Sequence, residues 1–249
     1  MASSRRILLA RHGQTEWNKE FKFQGKTNVQ LTETGKLQAK ALAQRLSSWP
    51  FEIIYSSPLD RALFTAHTIA ELSFSHADVI ALPELQEINF GTWEGHSIEA
   101  LKTEQRELFS KWRADPFFNM PPGAETWEKL FARLTRAVKI ILDGSQKNIV
   151  VVSHGGIMRA LYAVLLGFNP HKVWNNEISN CAMSGVEMRS GRPWLIFSND
   201  DLHIIKFMAE LLTCLNVTRK KLLCRYLTNG YRLQGVISTK IITNIMMTG

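Results

Sequence analysis

Cysteine is scarce in this 249-residue chain: only Cys181, Cys214 and Cys224 occur, an odd number with no Cys-x-x-Cys pair. That argues against a disulfide framework or a zinc knuckle, and cysteine's preference for interiors predicts buried thiols. Long apolar runs are also missing. Residues Met1–Arg6 lead into only four apolar residues before Arg11 and His12, and no uninterrupted stretch approaches the roughly 18 residues of a membrane span. A cytoplasmic protein with no membrane span is therefore expected. No HxH, HExxH or acidic cluster appears, so neither a metal nor a cofactor is expected, and no internal repeat or low-complexity segment breaks the chain.

Acidic residues are outnumbered, 22 against 30 basic, for a formal net charge of +8. The excess is uneven. From Lys206 onward there are seven basic residues and one acid, Glu210, which leaves +2 for residues 1–205. Residues 1–205 thus read as a near-neutral globular domain, and 206–249 as a basic C-terminal extension of uncertain structure. A nucleic-acid partner is not indicated, and removing residues 210–249 is expected to leave turnover intact.

What is present is an alternation of buried strands and amphipathic helices. Ile7-Leu8-Leu9-Ala10, Ile53-Ile54-Tyr55, Val79–Leu82 and Asn148–Val152 read as strands. Helical spacing is found in Thr32–Ser48, Leu59–Leu72, Ile98–Trp112, Glu125–Leu142 and Ile157–Leu166. Cys181–Met188 and Pro193–Phe197, joined by Ser190-Gly191-Arg192, add two strands, and Ile204–Leu215 has a helical period. The pattern predicts an α/β fold of three layers, α/β/α, around a mostly parallel central sheet.

Two histidines, His12 and His154, directly follow predicted strands, and each precedes glycine. In a parallel sheet the carboxyl ends of the strands share one edge, where the two imidazoles could meet. Gly155-Gly156 leads into a helix whose N-terminus attracts anions. Arg11 sits beside His12, and Arg61 follows the turn Ser57-Pro58-Leu59-Asp60. The guanidinium fork suits phosphoryl oxygens, so the constellation points to a phosphorylated ligand.

The segment Leu9-Ala10-Arg11-His12-Gly13-Gln14-Thr15-Glu16-Trp17-Asn18 resembles the signature of the histidine phosphatase superfamily, the phosphoglycerate mutase-like proteins. Further matching motifs follow in order. They are Gln24-Gly25, Leu31-Thr32-Glu33-Thr34-Gly35, Ser56-Ser57-Pro58-Leu59-Asp60-Arg61-Ala62, Leu85-Gln86-Glu87-Ile88-Asn89-Phe90-Gly91, Val151-Val152-Ser153-His154-Gly155-Gly156 and Asn199-Asp200-Asp201-Leu202-His203. The resemblance spans about residues 5 to 205.

The resemblance implies a phosphoglycerate mutase-like fold and a phosphomonoesterase that hydrolyses a small phosphorylated metabolite. His12 would attack phosphorus and form a phosphohistidine, with His154, Arg11 and Arg61 as its catalytic companions. Nearby guanidinium charge should keep His12 neutral, and bound phosphate should pull His154 toward its cation. Gly155 occupies the place where the acid-phosphatase branch carries an aspartate, so the proton donor lies elsewhere; the resemblance implies Glu87, with Glu84, one helical turn earlier, as competitor. The implied substrate-binding set is Arg11, Asn18, Gln24, Gly25, Arg61, Glu87, His154 and Gly155, with Ser153 as support. Trp17, Phe21, Phe23, Trp93 and Trp112 are candidates for a cleft wall. A cofactor-dependent phosphoglycerate mutase is the first alternative, weakened because Gly95–Asn148 lacks paired arginines. An inactive phospholigand-binding member is the second.

Overall fold

The structure is a computed structural model that describes residues 4–214. The first strand, β1 (Arg5–Arg11), leads through a short helix α1 (Glu16–Lys19) to α2 (Glu33–Leu46), β2 (Ile53–Ser56), α3 (Asp60–Leu72) and β3 (Asp78–Ala81). Two short helices follow, α4 (Ile98–Glu104) and α5 (Arg106–Ala114), then the long α6 (Trp127–Asp143). After β4 (Asn148–Ser153) come α7 (Gly155–Leu166), α8 (Pro170–Val173), the hairpin of β5 (Met183–Arg189) and β6 (Arg192–Asp200), and α9 (Leu202–Cys214). The chain divides after Ile204 into two compact units, and most of the expected extension 206–249 lies outside the described residues.

The six strands form one sheet in the order β3-β2-β4-β1-β5-β6. The first four in that order pair in parallel, and β5 joins β1 antiparallel and β6 antiparallel. Both faces are covered, which is why the central strands are apolar at successive positions rather than alternately. On β4, Ile149 and Val151 belong to a core shared with Leu130, Leu134 and Ile141 of α6 and with Ile157 and Leu161 of α7. The intervening Val150 and Val152 are also buried, on the face where α2 and α3 pack. The architecture is therefore the expected three-layer α/β/α with a mixed, largely parallel sheet.

Helix starts follow the side-chain caps. Thr32 accepts from Gly35 N at 2.9 Å and opens α2, and Thr126 accepts from Lys129 N and opens α6 two residues later than the periodicity suggested. The expected single helix Ile98–Trp112 is two, broken at Gln105, where φ is −127° and ψ 39°. Gln105 accepts the indole N–H of Trp93 at 2.8 Å, so a tertiary contact holds the break where no Pro or Gly announces one. Residues Pro83–Leu85 form a 3-10 turn, so Glu84 and Glu87 are not stacked on one α-helical face. Among the described residues no helix is long and apolar enough to cross a membrane. Cys181 is buried and free, whereas the side chains of Cys214 and Cys224 lie outside the described residues.

Candidate active site

Neighbouring parallel strands bring the two histidines together. In the β1–β4 ladder Arg11 pairs with Ser153, so the next residue of each strand, His12 and His154, emerges at the same edge. The ladder continues one step as His12 N donates to Ser153 O at 3.0 Å, and the imidazole centroids lie 5.0 Å apart. The chain after β2 supplies the third corner, because Ser57 and the first turn of α3, with Arg61, reach the same edge.

His12 is almost wholly buried, and its Nδ1 lies 2.7 Å from the carbonyl oxygen of Gly13. A carbonyl only accepts, so Nδ1 carries the proton and Nε2 holds the lone pair. Burial, then the charges of Arg61 and Arg11, hold the ring well below the usual histidine range, so it is neutral near neutral pH. His154 is lowered by burial, Arg61, His12, Arg11 and Arg133, and is neutral too in the free protein.

Arg61 is buried and grips three groups. Its Nε donates to His154 Nδ1 at 3.3 Å, and its terminal nitrogens donate to the carbonyls of Thr27 (2.7 Å) and Gly25 (2.8 Å). With Nδ1 accepting, His154 Nε2 carries the proton and donates to Ser57 Oγ at 2.7 Å. His154 is thus completely buried behind Arg61, with both nitrogens engaged. A direct contact to phosphoryl oxygens, as expected for His154, requires one of these partners to give way.

The loop that orients Arg61 is itself held by Glu94. The Glu94 carboxylate accepts from Lys26 N, Thr27 N, Thr27 Oγ and Phe90 N. Gly25 has φ of +54°, and a Cβ there would collide with that carboxylate, so only glycine fits. Gln24 is buried and accepts from Thr15 Oγ at 2.9 Å. Asn18 closes a capping box with Thr15 and accepts from Asn180 Nδ2, which also donates to His12 O.

Glu87 approaches from the segment after β3. Its carboxylate accepts from Ile88 N (3.0 Å) and from Gly156 N (3.2 Å) in the first turn of α7. Ser153 Oγ donates to Leu85 O at 2.8 Å, tying the end of β4 to this segment. Arg133 of α6 fixes it: it donates two hydrogen bonds to the Glu125 carboxylate and others to the carbonyls of Glu84, Gln86 and Glu87. Glu84 turns away toward Arg136 at 3.7 Å and does not line the cavity.

A cavity of about 500 Å³ opens over these groups, within the range of small-metabolite sites. Arg11, His12, Asn18, Gln24, Gly25, Arg61, Glu87 and Gly155 all line it. Of the aromatic candidates, Phe23 and Trp112 line it, but Trp93 is core, Phe21 is exposed, and Trp17 packs against Gly95. The wall also contains residues that the sequence reading did not single out, namely Lys22, Phe90, Ile98, Arg113, Arg159, Trp174 and Asn175. Two of the unforeseen arginines had a signal, since Arg133 falls in the apolar stripe Leu130-Leu134-Ala137 of α6 and Arg159 interrupts an otherwise apolar α7.

Comparison with known proteins agrees with this geometry. Phosphoserine phosphatase 1 of Hydrogenobacter thermophilus is 35% identical over 210 residues, which cover 82% of this chain and 97% of that one. Phosphoglycerate mutase-like protein 4 of Arabidopsis thaliana is 37% identical over 195 residues, 76% of this chain and 82% of that one. The crystal structure of the alpha-ribazole phosphatase from Shigella flexneri superimposes with a TM-score of 0.71 at 28% identity, covering 79% of this chain and 96% of that one. The sequence also matches the profile of the histidine phosphatase superfamily (branch 1) over residues 7–201. With the paired histidines and the arginine clamp in place, the chain belongs to that superfamily and is a histidine phosphatase, a phosphoric monoester hydrolase acting on a small phosphorylated metabolite.

Proposed function

We propose that the enzyme hydrolyses its phosphomonoester in two steps through a phosphohistidine at His12. The carrying observation is the hydrogen bond from His12 Nδ1 to Gly13 O, which leaves the Nε2 lone pair free in a ring bordered by Arg11 and Arg61. In the first step Nε2 attacks phosphorus and the ester P–O bond breaks. The leaving oxygen takes a proton from Glu87, whose carboxyl group lines the cavity. In the second, water attacks the phosphohistidine, Glu87 takes the water's proton, and the P–N bond breaks to release phosphate. Arg11 and Arg61 bind the phosphoryl oxygens throughout, and Asn18, Gln24, Gly25 and Gly155 complete the substrate wall. His154 accepts from Arg61 Nε and so holds it in register; it takes up a proton at Nδ1 only when an arriving phosphoryl group draws that Arg61 N–H away.

Brief incubation with a ³²P-labelled monoester tests this reading. The expected result is label on His12 that survives alkali and is released by acid, accumulates in Glu87→Gln and is absent from His12→Ala. Equal labelling of the alanine variant would sink it. The similarity to a mutase-like protein supports a second reading, return of the phosphoryl group to substrate. Turnover of 3-phosphoglycerate only with a bisphosphoglycerate primer, without hydrolysis of simple monoesters, would favour that reading instead.

A further inference from the structure

The loop between α8 and β5 meets the end of β1 where the nucleophile sits. Ala182 O accepts from Arg11 N at 3.1 Å, Ile178 O accepts from Arg11 Nη1 at 2.6 Å, and Cys181 N donates to His12 O at 3.2 Å. Asn180 adds a side-chain bridge. Its Nδ2 donates one hydrogen to His12 O at 3.1 Å and the other to Asn18 Oδ1 at 3.2 Å. Asn18 Oδ1 also accepts from Thr15 N at 3.1 Å. Both lone pairs of that oxygen are therefore taken, and turning the Asn18 amide over would set its NH2 against two N–H groups. The Asn18 NH2 has no partner among the described residues, and the side chain lines the cavity. At the other end of the bridge, His12 O belongs to the peptide joining His12 to Gly13, whose N–H donates to Thr65 Oγ1 at 3.3 Å. That peptide is thus held on both edges.

We infer that Asn180 is a positioning residue of the phosphoryl site: its NH2 group locks the Asn18 amide with both N–H bonds toward the substrate and ties that donor to the peptide of the nucleophile. This rests on the reading above, in which His12 attacks phosphorus and Asn18 belongs to the substrate wall. A phosphoryl oxygen only accepts. An Asn18 amide presented oxygen-first would repel it, whereas the same amide presented NH2-first donates to it. Because one NH2 group serves both acceptors, the bridge also fixes the spacing between the Asn18 donor and the attacking residue, the kind of alignment that displacement at phosphorus depends on. Asn180 itself is absent from the cavity wall, so it acts through Asn18 and His12 rather than on substrate.

A double-mutant cycle tests the inference. Asn180→Leu should lower kcat/KM for p-nitrophenyl phosphate by about tenfold or more, and weaken calorimetric binding of inorganic phosphate to the His12→Ala protein to a similar degree. In an Asn18→Ala background the same substitution should cost less than about threefold in both measurements, because the amide it orients is gone. A residue that only stiffens its loop would cost the same in both backgrounds. Asn180→Asp, which keeps the shape but removes the donor, carries the same cycle if the leucine variant does not fold. Equal losses in the two backgrounds, or unchanged phosphate binding when Asn180 is replaced, overturn the inference. Absence of ³²P label on His12 with the phosphate-binding cycle intact overturns the phosphohistidine reading and leaves the role of Asn180 standing.

Discussion

The Nδ1 of His12 and the carbonyl of Gly13, 2.7 Å apart, fix which imidazole nitrogen is nucleophilic before any substrate arrives. The same ring is kept neutral by burial and by Arg61 and Arg11. The acid limb of kcat/KM attributable to His12 therefore lies below the ordinary histidine value of about 6.5. A pH–rate profile in which activity is lost already through pH 7 would contradict this.

The depressed histidines also set a stability trend. His12 and His154 resist protonation when folded but take up protons normally when unfolded. Below about pH 6.5 the unfolded state therefore binds more protons, and stability falls as pH falls; above that value neither form gains. Urea unfolding between pH 5 and 8 should show a free energy that rises to a plateau near neutrality. The slope of the rise should be smaller in His154→Asn.

Glu87 faces the cavity and Glu84 faces Arg136. Glu87→Gln should lower kcat by about 10²–10⁴, the span of general acid–base catalysis. Glu84→Gln should stay within about threefold of wild type, since exposed ion pairs contribute little. The reverse ranking in steady-state assays would transfer the proton donor's role.

Arg133 and Glu125 form a nearly buried pair that also holds the carbonyls of residues 84, 86 and 87. Glu125→Ala should cost about 3–5 kcal/mol in urea unfolding, because it leaves a guanidinium without its partner. The double variant Glu125→Leu/Arg133→Met should recover much of that stability. Its kcat should remain low, because the segment carrying Glu87 has lost its donor.

Glu94 holds the loop whose Gly25 and Thr27 carbonyls orient Arg61. Glu94→Ala removes the acceptor for Lys26, Thr27 and Phe90 amides, and kcat/KM should fall by about tenfold or more as Arg61 loosens. Glu94→Gln, which keeps one oxygen acceptor, should lose less. Equal losses in both variants would show that the loop is held some other way.

Features set by adjacent residues were legible in the sequence. A strand followed by His and Gly appears twice, and the sheet rule predicts that two such ends meet, as His12 and His154 do. Residue types alone offered Glu84 and Glu87 as a pair, and the preference for Glu87 came from the resemblance, because their different orientations depend on a 3-10 turn and on the Gly156 amide. Features set by packing were hidden. Periodicity could not tell Trp93 in the core from Trp112 on the cavity wall, since both sit in one aromatic cluster. Nor could it show that Arg133 and Arg159 turn their charges onto a loop and a cavity, because an arginine among apolar helical residues reads first as a snorkelling surface side chain.

The central position of β1, between β4 and β5, bears on the order in which the molecule can be made. The strand that carries Arg11 precedes the other five strands of the sheet in the chain, yet both of its neighbours lie more than a hundred residues downstream. At about 5–20 residues per second, the ribosome needs on the order of ten seconds or more to supply them. Through that interval an apolar strand must wait unpaired, and long-range pairing of this kind closes slowly. Until β4 and the hairpin emerge, the apolar β1 lacks both sheet partners, a state open to aggregation, and the edge that joins His12 to His154 cannot form before β4 is made.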